Sequence, residues 1–136
     1  LRQNPKLIDI GIEEALRLDS PVQFLRRRLI TAVTFYGRTL AAGEDVYIVT
    51  GSANRDSRIY ESPDEFRLDR TKNHHHSFGF GIHFCIGAPL ARLEAKLGME
   101  ALLSRFKNMQ RAQVDDVRMP FGLLRGFSHL WLDFEE

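Results

Sequence analysis

The chain has 136 residues, 43% of them apolar and 27% charged, with 19 basic against 18 acidic side chains and a formal net charge of +1. That length suits one domain, the composition is globular rather than disordered, and the near-neutral balance gives no electrostatic case for nucleic acid. One cysteine excludes an internal disulfide, and with no apolar run of membrane length and no signal-peptide pattern in LRQNPKLID the expected setting is cytoplasmic, without a membrane partner.

A helix is expected over 5–19. Pro5 suits a first turn, and Ile8, Ile12, Ala15 and Leu16 recur at three- and four-residue steps. Ser20-Pro21 stops it, because a residue before proline leaves the α region. A β-rich segment is expected over 29–50, carried by Val33-Thr34-Phe35 and Val46-Tyr47-Ile48-Val49-Thr50, with Gly37 and Ala42-Gly43 as turns. The connector over 53–76 is polar, with Asn54, Asp56, Pro63 and Asp64 as turn formers. Connectors of that length are usually functional or packed on something.

FGFGIHFCIG, residues 78–87, then frames Cys85, with Phe78 seven residues before it, Gly81 four before and Gly87 two after. A helix over 87–106 follows, with Pro89 in its first turn. Its apolar stripe is Leu90, Leu93, Leu97, Ala101 and Leu102, which leaves Arg92, Glu94, Lys96 and Glu100 for solvent. KNMQRAQVDD is a polar bridge, 120–126 a turn or short hairpin, and Leu130, Leu132 and Phe134 alternate as a last strand, giving a terminal unit over 118–134. There is no internal repeat.

A lone thiol in a glycine-rich loop that feeds a helix N-terminus is a means of presenting a thiolate to a metal. The helix end favours the thiolate, and ligation requires it. Phe78, Phe80 and Phe84 can wall the sulfur from water. The competing reading of Cys85 is a buried structural cysteine. The spacing F-x-x-G-x-x-x-C-x-G resembles the haem-ligand loop of the cytochrome P-450 family. Glycine at 79, 81 and 87 would let backbone approach a flat macrocycle.

The resemblance extends along the chain. Glu14-Ala15-Leu16-Arg17 matches the E-x-x-R of that family's K helix, and SPVQ, AAGEDV, ANRD, PDEF and the terminal RGF follow in order. GIHFCIGAPLARLEA looks like the soluble bacterial branch. The resemblance implies a mainly α fold with small β-sheets (α+β), with the K helix over 5–19 and the L helix over 87–106. It makes Cys85 the catalytic haem-iron ligand, with Phe78, Gly79, Ile86 and Gly87 against a haem b. Arg27, His75 and His83 would bind propionates, with Arg26 and Arg28 as alternatives to Arg27. Glu14 and Arg17 form a bracing pair; Glu65 stands before Phe66 where most members carry an arginine, so Arg67 or Arg70 would complete the network. The run His74-His75-His76 does not suit a metal site, because adjacent side chains diverge. Val22, Phe24, Leu123 and Leu124 would border a substrate pocket or pack in the core.

The implied activity is that of a haem-thiolate monooxygenase inserting one atom of dioxygen into a small organic substrate. Electrons would come from NAD(P)H through a ferredoxin-type or flavodoxin-type redox partner. The family's oxygen-activating pattern, small-Gly-x-acid-Thr, is not matched: Ala42-Gly43-Glu44-Asp45 is followed by Val46. The chain opens on Leu1 rather than Met. The expectation is therefore a C-terminal portion, with the distal helix before Leu1, inactive alone. The alternative is a standalone proximal module that binds haem without turnover.

Overall fold

The computed structural model describes residues 1–136 apart from Lys72, Phe121 and Glu136. A 3-10 turn at Pro5–Leu7 leads into α1, Ile8–Leu18. Its helix ends where the Asp19 N–H bonds the Ala15 carbonyl, ahead of Ser20-Pro21. The buried face is not the expected apolar stripe. Ile8, Gly11, Glu14 and Arg17 are buried, Ile12 and Leu16 are half-buried and Ala15 is exposed. A three-residue step puts the carboxylate and guanidinium on one face, where they neutralise each other and can leave water together.

Strand β1 covers Leu25–Arg28 and pairs antiparallel with β4, Asp45–Ile48. The β-rich segment thus starts before residue 29, and the three arginines lie in its first strand. Alternation explains how a strand accepts them. Arg27 points to the half-buried side, while Arg26 and Arg28 are exposed and share Asp45 at 2.6 and 3.1 Å. Between these strands a hairpin pairs β2, Val33–Phe35, with β3, Arg38–Leu40, turning through Tyr36 and Gly37. The second strand stops at Ile48, and Thr50 opens a short helix, α2, Thr50–Ala53, instead of extending the sheet.

No helix or strand is assigned between Asn54 and Phe80 among the described residues; the connector runs as turns. After a 3-10 turn at Gly81–His83, α3 spans Ala88–Arg105 with Pro89 in its first turn. Within this chain Leu90, Leu93, Leu97 and Leu102 are 40–59% exposed, while Arg92 and Lys96 are half-buried against α1. The facing surface of α1 carries Asp9 and Glu13. These bind Lys96 at 2.9 Å and Arg92 at 2.6 Å.

The polar bridge contains a strand, β5 (Lys107–Arg111), which pairs with β8 (Leu132–Glu135); β6 (Val117–Arg118) pairs with β7 (Phe127–His129). Leu130 lies between the last two strands rather than in the final one. The expected hairpin over 120–126 includes Phe121, which lies outside the described residues. No helix among the described residues is long and apolar enough to cross a membrane. Among the described residues, those buried within this chain are Ile8, Gly11, Tyr60 and Ala88 together with the polar Glu14, Arg17, Ser20, Thr50, Asn54 and Ser77.

Candidate functional site: a thiol loop on a buried polar base

The base of the site is the Glu14 carboxylate. Arg17 grips it with Nε and Nη2, both at 2.8 Å, and Arg70 Nε donates to Oε1 at 2.9 Å. The Arg67 backbone N–H and the Asn73 carboxamide add bonds of 3.0 and 3.1 Å. Arg70 is therefore the side chain that completes the network, with Arg67 contributing only its backbone. Burial alone would raise the Glu14 pKa. The bonds from Arg17, Arg70 and Arg67 outweigh it and hold the carboxyl at about 2. Arg17 also donates to the carbonyls of Asn54, Pro63 and Glu65. One α1 side chain thereby pins the connector at three places.

A second buried knot ties α1 and α2 to the chain just ahead of the thiol loop. The Asn54 carboxamide donates to Ser20 Oγ and Ser77 Oγ at 2.6 and 2.9 Å and accepts the His76 N–H at 2.7 Å. Ser20 and Ser77 hydroxyls meet at 2.8 Å, and Ser77 donates to the Leu16 carbonyl. Sequence reasoning took Asn54 for a turn former and passed over both serines. Their signal was position, Ser20 opening SPVQ and Ser77 directly preceding the 78–87 loop.

The loop itself closes through the Cys85 N–H, which donates to the Phe78 carbonyl at 2.9 Å. Two left-handed positions make this possible, Gly79 at φ 76° and Gly81 at φ 66°. At Gly79 a Cβ would sit 3.4 Å from the His83 carbonyl oxygen. At Gly87 it would lie 3.7 Å from Cys85 Sγ, inside the space beside the sulfur. The Cys85 thiol is free and exposed. Helix α3 begins three residues later, so its N-terminal field falls on the loop.

A cavity of about 410 Å³ adjoins the thiol. Cys85, Phe78, Gly79 and His83 line it from the loop, and Ser77 from just before. Arg27 and Leu25 of β1, with Leu16, Pro21 and Val22, complete the wall. Of the arginine triplet, only Arg27 reaches it, because strand alternation turns Arg26 and Arg28 to Asp45. His75 is not among the residues that line this cavity. Its Nε2 bonds Glu13 at 3.0 Å and its Nδ1 accepts the Ser77 N–H at 3.2 Å, so both ring nitrogens are taken within the chain. Phe24 packs edge-on against Tyr47, and Leu124 bridges to Val22 without lining the cavity. Leu123 lends its carbonyl to the Gln23 N–H. Ile86 is fully exposed beside the sulfur, as is Ile82, and Phe80 is largely so. Among the described residues no cluster of three His, Cys, Asp or Glu side chains could hold a metal ion.

The donor set suits a haem. It offers one thiol, a guanidinium and an imidazole on the same wall, apolar rings around the thiol, and glycines whose missing side chains leave room for a flat group. The cytochrome P450 family model matches residues 1–127. Polyketide biosynthesis cytochrome P450 PksS of Bacillus subtilis is 44% identical over 117 residues, covering 85% of this chain and 29% of that protein. The biotin biosynthesis cytochrome P450 of the same organism is 40% identical over 135 residues, covering 99% and 34%. Among solved structures, CYP109E1 from Bacillus megaterium in complex with testosterone superposes with a TM-score of 0.93 at 41% identity, covering 97% of this chain and 37% of that one. The chain spans about a third of the length of the curated relatives it matches. With the glycine-rich thiol loop, the E-x-x-R knot beneath it and a family match over nearly its whole length, the chain belongs to the cytochrome P450 family.

Proposed function

We propose that this chain supplies the thiolate side of the haem site in a monooxygenase that inserts one atom of dioxygen into a small organic substrate. The observation that carries the reading is the convergence of Cys85, Arg27 and His83 on one cavity at the N-terminus of α3. Haem bound through a thiolate supplies oxygen activation, the thiolate favouring O–O cleavage.

The chain's own groups have distinct tasks. Cys85 presents its sulfur from a loop held shut by the Phe78 carbonyl. Phe78 and Phe84, their rings 6.4 Å apart edge to face, give the loop an apolar surface against which a flat ring would lie. Arg27 and His83 would hold the carboxylates of a haem, while Gly79 and Gly87 would keep the approach clear and Ile86 would add apolar surface. His75 holds the loop through Glu13 and Ser77 rather than reaching the cavity. Val22, which lines the cavity, and Leu124, bridged to it, would border the substrate together with Leu123. Electrons derived from NAD(P)H would arrive through a ferredoxin-type or flavodoxin-type protein.

The test is product analysis of the haem-loaded protein supplied with reductant, redox partner and isotopically heavy dioxygen. One heavy oxygen atom per product molecule supports the reading. A bound thiolate-ligated haem with no labelled product across a broad substrate panel overturns turnover and leaves a haem-binding module.

A further inference from the structure

Glu13, His75 and Arg92 meet outside the set of residues that line the cavity. Arg92 donates twice to the Glu13 carboxylate, Nε to Oε1 at 2.6 Å and Nη2 to Oε2 at 2.9 Å. His75 Nε2 lies 3.0 Å from the same Oε2, and its Nδ1 accepts the Ser77 N–H. An acceptor role at Nδ1 puts the ring proton on Nε2, the neutral tautomer. Burial lowers the His75 pKa, Glu13 opposes that, and Arg92 and His76 add to the lowering. The three side chains come from α1, the connector and α3, so each is fixed by a different element.

All of this converges on Phe78. The Arg92 guanidinium lies 4.6 Å from its ring centroid, and the His75 ring 6.1 Å away. On its other side Phe78 meets Phe84 and lines the cavity, while its carbonyl accepts the Cys85 N–H. A simple tie between α1 and α3 would not need this geometry. Lys96 and Asp9, one turn along the same helices, make such a tie at 2.9 Å with no ring contact to the loop recorded among the described residues.

We propose that Glu13, His75 and Arg92 are positioning residues that set the Phe78 ring, and through it the packing and water exposure around the Cys85 sulfur. The proposal rests on Cys85 being the haem-iron ligand. A planar guanidinium can pair with Glu13 through two bonds and cover an aromatic face at once, and lysine cannot do both.

The test is the iron midpoint potential and the reduced, carbon monoxide-bound spectrum of the haem-loaded protein in Arg92→Met, Glu13→Gln, Arg92→Lys, Phe78→Leu, the Arg92→Met/Phe78→Leu double variant and Lys96→Met. Arg92→Met and Glu13→Gln are expected to shift the potential in the direction of Phe78→Leu, with Arg92→Lys intermediate. The double variant should shift no further than Phe78→Leu alone, and Lys96→Met should not shift it. A wild-type potential in Arg92→Met, or shifts that add in the double variant, would overturn the proposal. If Arg92→Met does not fold, Glu13→Gln decides, an unshifted potential counting against the proposal. Cys85→Ser separates the two levels. Retention of the wild-type band in Cys85→Ser sinks the ligand assignment itself, whereas a thiolate band with additive shifts sinks only the positioning role.

Discussion

Arg70 Nε lies 2.9 Å from Glu14 Oε1, closing across 56 residues the buried pair that Glu14 makes with Arg17 three residues on. The thiol loop stands on this three-membered knot. Removing one member strands an uncompensated charge, so Arg17→Met is expected to destabilise the chain by about 3–5 kcal/mol, the usual cost of breaking a buried ion pair. Arg70→Met should cost less, because Arg17 stays on the carboxylate. Denaturant unfolding of each variant checks the order.

Acid should unpick the same knot. The Glu14 pKa is lowered from 4.5 to about 2, so the unfolded chain takes up its proton first as pH falls. The contribution of Glu14 is fully present above pH 4.5 and is lost as pH drops toward about 2. A gentler slope comes from His75, whose pKa lies below its ordinary 6.5, so stability declines as pH falls below that value. Unfolding free energy measured against pH should show a shallower acid slope in Glu14→Gln, the paired carboxylates of Glu13, Asp45, Asp56 and Asp69 supplying the remainder, with the near-neutral slope unchanged.

Asn54 should be the least replaceable neutral side chain. Asn54→Leu leaves the His76 N–H without its acceptor and two buried hydroxyls without their shared donor. The expected cost is about 1–3 kcal/mol for each buried group left unpaired. Hydrogen exchange at the His76 amide should accelerate in the variant, and an unchanged rate would count against the knot.

The two left-handed glycines of the loop should differ on substitution. Alanine at Gly81, where nothing lies within 4 Å of the new Cβ, should cost only the left-handed strain, about 1–2 kcal/mol. Alanine at Gly79 adds a tight approach to the His83 carbonyl, so Gly79→Ala should lower both thermal stability and haem affinity further. A haem titration of the two variants reads the difference.

Much of this molecule was legible in residue order. The loop from Phe78 to Gly87, the Glu14–Arg17 pair and α1 and α3 as helices all follow from motif and period. What was not legible has a common physical cause. Periodicity left Arg92 and Lys96 for solvent, yet both pair with carboxylates on α1, Glu13 and Asp9, 79 and 87 residues away in sequence. Which of Arg26, Arg27 and Arg28 reaches the cavity was left open by spacing and depends on strand alternation, with Asp45 pairing to the other two. The choice of Arg70 over Arg67, and the capture of His75 by Glu13, depend on contacts between residues more than 50 apart, which spacing cannot express.

Strand alternation also makes the arginine triplet separable. Arg27→Ala should weaken haem binding about 10- to 100-fold, the equivalent of one charge-assisted hydrogen bond. Arg26→Ala should leave affinity unchanged, since that side chain is paired to Asp45 away from the cavity. Equal losses in both variants would contradict the register of β1 on β4.

The central claim is that Cys85 ligates haem iron, and the reduced, carbon monoxide-bound absorption spectrum of the haem-loaded protein tests it most directly. A strongly red-shifted Soret band that disappears in Cys85→Ser is the predicted result. A histidine-type band, the same in wild type and Cys85→Ser, would contradict the account.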